Sequence, residues 1–279
     1  SRLRLLRYQD TLYTGFLKAA TRRAETGETN KLEKISAESQ SLEIKNQMKQ
    51  TEADIRIYLR RLQTLLNSSN PVEITDSVLL KLNLPAVLDS SVLSSNPSLA
   101  LSLQQVEIAR RKKSVERAKL LPDLTIGYFN QSIIGEQDVN GIPRSFSPGD
   151  RFTGITAGVS IPLWGKPNVS RIKALKISEE IARNNFESYK TALKGELESL
   201  MQEYSKYKSS IDYYEQSALP QADLIISQST KSYRLGNMDY LDYIQSLSRA
   251  LLVKSNYLET LNHYNQSILA IEYIIGKGN

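Results

Sequence analysis

A long apolar seam in the second half of the chain constrains the fold more than any other feature. Its members follow one another at steps of three or four residues without a slip, and they are Phe186, Tyr189, Leu193, Leu197, Leu200, Tyr204, Tyr207, Ile211 and Tyr214. Such spacing is typical of a coiled-coil seam. A continuous helix over residues 166–234 would extend roughly 100 Å at 1.5 Å per residue. We therefore predict helical rods, with Pro220 kinking or loosening the second half.

The seam breaks at Gly236 and then resumes, and a similar break occurs near the start of the chain. YRLGNMDYLD (residues 233–242) can be aligned with AETGETNKLE (residues 24–33) by placing Gly27 on Gly236. The same offset pairs Thr21 with Thr230, Leu32 with Leu241, Ile35 with Ile244, Ser39 with Ser248, Leu42 with Leu251 and Lys45 with Lys254. These positions largely share one helical face, which indicates an internal duplication of a helical hairpin.

Two stretches between the hairpins alternate like strands. In residues 152–164 one face carries Ile155, Ala157, Val159, Ile161 and Leu163, and the other carries Gly154, Thr156, Gly158 and Ser160. With residues 123–134 this predicts two strands, long enough to cross a bilayer when tilted. Residues 135–151 are rich in Gly, Pro, Asn and Asp and predict an irregular loop. An apolar face of this kind can contact lipid, or it can pack on a helix in a soluble protein.

Five segments follow from these patterns. They are a first helical hairpin truncated at its start (1–67), a connector (68–96), a helix leading to the strands (97–121), the strand region (122–164) and a second long hairpin (165–279). In the first hairpin we expect the apolar stripe Leu32, Ile35, Leu42, Ile55, Leu59, Leu62 and Leu66 to be the packing face. The connector is too apolar for a free linker, so we expect it to pack on other elements.

Composition argues against several classes of function. There is no Cys and one His, which excludes disulfides, a His-based metal cluster and a Ser-His-Asp triad within one chain. Met48, Met201 and Met238 are scattered, and no phosphate-binding loop is present, so we expect no enzyme, cofactor or metal site. The net charge of +6 comes from charges of interleaved sign, which predicts solvated helix faces and no nucleic-acid partner. No apolar run reaches the length of a transmembrane helix. The chain opens as if in mid-helix, so we expect a piece of a longer protein.

Two stretches resemble the TolC-like outer-membrane efflux channels, in the heavy-metal (CusC- or CzcC-like) branch. They are NPSLALSLQQVEIARRKKSVERAKLLPDLTIGYF and the closing hairpin ALPQADLIISQSTKSYRLGNMDYLDYIQSLSRALLVKSNYLETLNHYNQSILAIEYIIG. YFNQSIIGEQDVNG and SIPLWGKP are similar to the TolC-like region appended to CusA/CzcA-type cation pumps. The resemblance implies a mainly α fold of long antiparallel coiled-coil hairpins with one strand pair contributing to an outer-membrane barrel. The family pattern has a further strand pair before the first hairpin, which this chain lacks.

The same resemblance implies a function and partners. It implies the channel component of a tripartite, RND-type efflux system, a passive gated conduit exporting heavy-metal cations or other small toxic compounds from a Gram-negative bacterium. The implied partners are a periplasmic adaptor protein, an inner-membrane RND pump and, in a homotrimer, two further copies. The strands would lie in the outer membrane, and the helices would extend into the periplasm.

The hairpin turns would then meet the adaptor or form the gate. The residues implied are Glu25, Thr26, Gly27, Glu28 and Leu32 at one tip and Arg234, Leu235, Gly236, Asn237, Asp239, Leu241 and Asp242 at the other. Turn geometry alone is sufficient to explain both glycines. Asp239 with Asp242 can cap a helix or attract cations, and Asn30 with Glu33 occupies the matching places. We further expect Arg234 to pair with an acidic residue of the other hairpin.

Two other functions remain open at this point. A periplasmic adaptor also carries a helical hairpin, but that hairpin is inserted in a β-rich domain, whereas here two hairpins flank one strand pair. A soluble coiled-coil scaffold accounts for the rods but leaves the alternating strands unexplained. A shared location of Gly27 and Gly236 at one end of the hairpins is the observation expected for the channel.

Overall fold

The computed structural model describes residues 1–27, 31–74, 78–84, 90–162 and 166–277. Within these ranges the helices are α1 (Arg2–Glu25), α2 (Lys31–Leu65), α3 (Pro97–Ala118), α4 (Lys166–Tyr213), α5 (Leu219–Arg234) and α6 (Tyr240–Ile274), and the strands are β1 (Asp123–Ser132), β2 (Gly135–Val139), β3 (Ile142–Phe146) and β4 (Arg151–Ser160). The predicted mainly α class, with long helical hairpins and few strands, is confirmed. None of the helices in the described ranges is both long and apolar enough to cross a membrane.

The chain divides into two compact units, and α4 runs from one into the other. The first unit comprises residues 1–89 and 196–279, and the second comprises residues 90–195. In the first unit α1 packs on α2, α5 packs on α6, and α1 also contacts α6. Their shared core consists of Tyr13, Phe16, Ala20, Ala37, Ile44, Ala222, Ile226, Tyr233, Tyr243, Leu247, Ala250 and Leu251. Both repeats thus fold as helical hairpins.

The packing face of α2 is not the one predicted from its leucines. Leu32, Ile35 and Leu42 are each about 60% exposed. The buried residues of α2 are Glu33, Ala37, Ser41 and Ile44, which lie on another face. Small side chains allow two helices to approach closely, and Ala37 meets Ala20 of α1 in the same core. Leu32, Ile35 and Leu42 of the predicted stripe are therefore at the surface of this chain, whereas Leu59 and Leu62 are half-buried.

The regular α-helix of the long second rod is interrupted close to Pro220, as its sequence predicts. Helical conformation continues from Lys166 to Arg234, but residues Tyr214–Ala218 form a π-helical turn just before Pro220. Proline lacks an N–H and its ring crowds the carbonyl four residues earlier, so a wider turn accommodates it. The predicted loosening is confirmed, in the form of a π turn.

The connector is held by the side-chain amide of Asn265 on α6. The Asn265 Oδ1 accepts from the Leu82 N–H at 3.0 Å, and its Nδ2 donates to the Leu80 carbonyl at 2.6 Å. The amide thus binds the extended segment as a neighbouring strand would. Leu79, Leu82 and Leu84 pack on the cluster around Ile268. The prediction of a connector packed on other elements is confirmed for residues 78–84.

In the second unit, ion pairs that involve two buried glutamates join α3 to α4. Glu179 of α4 is buried and receives a hydrogen bond from Lys113 of α3, with Arg183 3.6 Å away. The bond from Lys113 holds the pKa of the Glu179 carboxyl below its usual range. Buried Glu116 of α3 is likewise contacted by Lys119 at 2.8 Å and by Arg171 of α4 at 3.7 Å.

The strand region is a long hairpin. β1 pairs antiparallel with β4, from Asp123 opposite Ser160 to Ser132 opposite Arg151. The residues between them are not the irregular loop predicted, because β2 and β3 form a second antiparallel pair. Asn140 and Gly141 both have positive φ, as a two-residue type I′ turn requires. The Asn-Gly pair is the sequence signal that this prediction missed.

Candidate functional site at the hairpin tips

The two hairpin turns lie at the same end of the first unit. The hydroxyl of Tyr233, three residues before Gly236, donates to the carboxylate of Glu33, six residues after Gly27. Arg23, on the other side of the first turn, approaches that carboxylate at 3.6 Å and lies over the Tyr233 ring at 5.6 Å. The expected co-location of Gly27 and Gly236 is therefore confirmed.

Both glycines are required by backbone geometry. Gly27 has a φ of +73° and Gly236 one of +76°, and an added Cβ would meet nothing within 4 Å at either position. After Gly236 the Asn237 N–H donates to the Ser232 carbonyl at 2.9 Å, the long bond of a Schellman turn. The conformation, rather than limited space, selects glycine.

The helix after the second turn is capped as predicted. The Asp239 Oδ1 accepts from the Asp242 N–H at 2.8 Å, and Asp242 lies in the first turn of α6, where the helix dipole favours negative charge. The N-cap interpretation of Asp239 is confirmed. Asn30 and Glu28 of the first tip lie outside the described residues.

An aromatic cluster of residues that the sequence analysis did not single out supports the tips from within. The Phe16 ring of α1 stacks on Tyr240 at 5.5 Å and contacts Tyr233 and Tyr243. Tyr233 stacks on Tyr243 at 4.6 Å. Burial, helped by the bond to Glu33, raises the pKa of Tyr233 to about 12. The concentration of tyrosines around Gly236 was the available signal.

The predicted tip residues themselves are exposed. Glu25, Thr26, Gly27, Arg234, Gly236, Asn237, Asp239 and Asp242 are all at the surface. Leu32, Leu235 and Leu241 are 63%, 64% and 58% exposed. The expected ion pair of Arg234 is not found, because within the described ranges Arg234 has no acidic partner and Glu33 is reached by Tyr233 and Arg23 instead.

A groove leads along the first unit to the second tip. It has a volume of about 470 Å³ and lies between α1 and α5, where Tyr8, Leu12, Ile226 and Thr230 line it and Arg234 and Leu235 close its tip end. Exposed leucines and a groove are features of a surface that binds another protein. No group of three or more His, Asp or Glu side chains arranged to hold a metal ion occurs in the described part of the chain.

A second exposed surface lies on the paired strands of the second unit. Ile155 is opposite Tyr128, Ala157 is opposite Ile126, and Val159 is opposite Leu124. The exposed fractions of the large members range from 64% at Val159 to 84% at Ile126. Ile161 is also exposed but follows the end of β4, and Leu163 lies outside the described residues. The opposite face carries Thr125, Gly127, Thr156 and Gly158, and the Phe129 ring lies over Gly154 on the same face. This face is therefore small and polar from Thr125 to Gly127 and aromatic at Phe129.

A comparison with protein families matches the strand region and the second tip. The sequence profile of the outer membrane efflux protein family matches residues 88–277. The chain belongs to this family. The match includes the whole strand region and the complete second hairpin, and the first hairpin, α1 and α2, lies before it.

Solved structures show the fold of this outer membrane efflux family member. Superposition on the CusC structure gives a TM-score of 0.82 at 15% identity and covers 98% of this chain and 64% of the other. For CmeC from Campylobacter jejuni the TM-score is 0.77 at 16% identity, with 99% and 59% covered. For the open state of MtrE from Neisseria gonorrhoeae it is 0.74 at 16% identity, with 98% and 63% covered. The chain thus spans about three fifths of the length of these channels. No curated protein sequence matched it.

Proposed function

We propose that the chain forms part of the outer-membrane channel of a tripartite, RND-type efflux system and acts as a passive, gated conduit. The exposed apolar stripe on a two-stranded hairpin carries this proposal, because it lies in a member of the outer membrane efflux protein family. A ten-residue strand has the length needed to cross a bilayer. Apolar residues then contact lipid, and the small polar face of Thr and Gly borders water.

The tips supply the proposed contact with the other components. Leu32, Leu235 and Leu241 are exposed beside turns whose backbone is fixed by Gly27 and Gly236. We propose that this end meets a periplasmic adaptor protein and thereby couples the channel to an inner-membrane RND pump. The bond from Tyr233 to Glu33 holds the two hairpins together at the same level. The cargo we propose is heavy-metal cations or other small toxic compounds, by analogy with the heavy-metal branch.

Assembly follows from the same surfaces. One strand pair has two open edges, and open edges are not tolerated inside a bilayer, so the barrel must be closed by further strands. In the full-length protein we propose a homotrimer that supplies them. The face of α2 formed by Leu32, Ile35 and Leu42 is then covered by a neighbouring element.

Conductance in a planar lipid bilayer tests the channel. The purified full-length protein should produce stepwise current increments, and deletion of residues 123–160 should abolish them. A detergent-free, monomeric protein that produces no current would contradict the proposal and favour a soluble coiled-coil scaffold. Binding of the adaptor to the tip is tested separately, by comparing the full-length protein with a Leu235→Asp/Leu241→Asp variant.

A further inference from the structure

Positive charge is concentrated in the two helical segments that adjoin the strands. Residues 97–121, which precede β1, contain six Lys or Arg and two Glu. Residues 161–184, which follow β4, contain five Lys or Arg and two Glu. The strand region between them is slightly acidic, so both segments that border the strands are basic. Residues 1–67 are a further basic segment, with thirteen Lys or Arg and eight Asp or Glu.

Within the described ranges six of these eleven cations are paired with a carboxylate, and Arg111 and Lys112 are among the five that are not. Arg110 bonds to Glu107 at 3.2 Å, Lys119 bonds to Glu116, and Lys113 bonds to Glu179. Within the described ranges Arg111 and Lys112 contact no carboxylate, and both side chains are exposed. Two adjacent cations without a carboxylate partner are therefore exposed on α3.

Arg111 and Lys112 border a groove between α3 and α4. Its volume is about 610 Å³, and its floor is formed by Ile108, Val115 and Leu175. Ile108 is 47% exposed and Val115 is 59% exposed. The acidic residues of the groove, Glu107 and Glu116, are each bonded to a cation, which leaves the rim positive.

The groove lies close along the chain to the start of the strands. Arg111 precedes the end of α3 at Ala118 by seven residues, roughly 10 Å along a helix. β1 begins at Asp123, so a long Arg or Lys side chain can reach the headgroup layer that borders the strands. An aqueous channel wall would favour polar groups on the groove floor, whereas an apolar floor with a basic rim matches a molecule with an acyl chain and an anionic headgroup.

We propose that this groove binds an anionic phospholipid of the leaflet on the helical side of the strands. Arg111 and Lys112 hold the phosphate, and an acyl chain lies on Val115, Ile108 and Leu175. Basic pockets at a membrane surface bind anionic lipid headgroups in this way. The proposal rests on the proposed outer-membrane location, and it assigns a lipid ligand to a part of the chain away from the tips.

Native mass spectrometry of the full chain in detergent tests the site, with dioleoyl-phosphatidylglycerol titrated against dioleoyl-phosphatidylcholine. We expect preferential binding of phosphatidylglycerol, weakened roughly tenfold in Arg111→Gln/Lys112→Gln. The matched control is Arg56→Gln/Arg60→Gln on exposed α2, which should bind as the unaltered chain does. Equal loss in both variants, or no preference for the anionic lipid, would overturn the proposal.

Two further measurements distinguish a lipid site from a free-phosphate site and from an interface between copies of the chain. Val115→Ser should also weaken lipid binding, because it removes an apolar contact from the groove floor. At a site for free phosphate, Val115→Ser would have no effect and inorganic phosphate would compete with the lipid. Those two results together would contradict a lipid site. If the charge variant changes the oligomer size but not lipid binding, the groove is an interface between copies and the proposal is wrong. Lipid binding is measured without current, so a chain that binds the lipid but does not conduct would refute the channel and leave the groove standing.

Discussion

At the residue scale, the tips are fixed by backbone conformation at two glycines and by one cluster of side chains. The glycines set the backbone of each turn, and the Tyr233–Glu33–Arg23 cluster links one hairpin to the other. Glu33 is only 5% exposed, so the hydrogen bond from Tyr233 and the nearby charge of Arg23 help to offset the hydration that its carboxylate loses. Turn shape and hairpin association are therefore set by different residues and can be altered separately.

Alanine at Gly236 and at Gly195 should have opposite effects. Gly236 has a φ of +76°, and an L residue in that conformation costs about 1 kcal/mol, so Gly236→Ala should lower the free energy of unfolding. Gly195 lies within α4 with open space around it, so Gly195→Ala should raise it by roughly 0.5–1 kcal/mol. Urea unfolding of both variants checks this, and effects of the same sign would contradict the assignment of Gly236 to a turn.

Tyr233 should make the first unit sensitive to alkali. Its pKa is raised to about 12 in the folded chain, against about 10 for an exposed tyrosine. The stability due to the neutral hydroxyl is therefore complete below pH 10 and is lost as the pH rises toward 12. Tyr233→Phe should cost about 2 kcal/mol at neutral pH, because the bond to a carboxylate disappears.

The same variant should also lose stability less steeply between pH 10 and pH 12 than the unaltered chain. Circular dichroism during urea unfolding at each pH measures both effects. Tyr273→Phe, at a site 78% exposed, serves as the control. An unchanged alkaline slope in Tyr233→Phe would show that the hydroxyl is not protected in the folded state.

At the element scale, the side-chain amide of Asn265 makes the hydrogen bonds that join the extended connector to α6. Asn265 is 7% exposed and binds both the Leu82 N–H and the Leu80 carbonyl. Lys81 also forms an ion pair with Glu215 at 2.8 Å. Because both side chains are partly exposed, this ion pair contributes less to stability than the hydrogen bonds of Asn265. The Leu79 N–H also donates to Ser1 Oγ at 2.7 Å, and the leucines of the connector pack on the cluster around Ile268. The amide therefore fixes residues 80–82 in particular.

Replacing Asn265 should release the connector without unfolding the helices. In Asn265→Ala the Leu82 N–H and Leu80 carbonyl lose their partner, which should cost about 2 kcal/mol. Hydrogen exchange of residues 78–84 should become faster, while α5 and α6 keep their protection. Asn262→Ala, one turn away and exposed, is the matched control. Unchanged exchange at Leu82 would show that the apolar contacts alone hold the connector.

At the scale of the whole molecule, the chain presents surfaces that it does not cover itself. The strand hairpin exposes Ile126 and Ile155, and α2 exposes Leu32 and Leu42. Isolated exposed leucines are ordinary, but contiguous apolar stripes indicate contact with lipid or protein. The proposed channel assigns lipid to the first stripe and neighbouring protein to the second.

A charge on the strand stripe should prevent membrane assembly. Ile126 lies in the middle of β1 opposite Ala157, so Ile126→Lys places a cation near the bilayer centre at a cost of about 2–4 kcal/mol. Thr125→Lys, the adjacent residue on the opposite face, should be tolerated. The amount of folded full-length protein in the outer-membrane fraction measures the difference. Equal recovery of both variants would contradict a lipid-facing stripe.

Local pattern alone was sufficient for the helices, the glycine turns and the alternating strands. Each of these features depends only on residues that are close together in the chain, so it can be predicted from the sequence. The patterns are the steps of three and four residues from Phe186 to Tyr214, the positive φ at Gly236 and the period of two from Ile155 to Val159. The Asn140–Gly141 turn also lay within reach of sequence reasoning, but the polar composition around it favoured a loop.

Only the tertiary structure decided which faces are buried and which residues meet. The face of α2 that packs carries Glu33, Ala37 and Ser41, because burial is decided by how closely α1 can approach and not by apolar character alone. The bond from Tyr233 to Glu33 joins residues 200 positions apart, and no local spacing encodes it. Leu32 and Leu42, predicted as part of the packing face of α2, lie at the surface because α2 buries a different face.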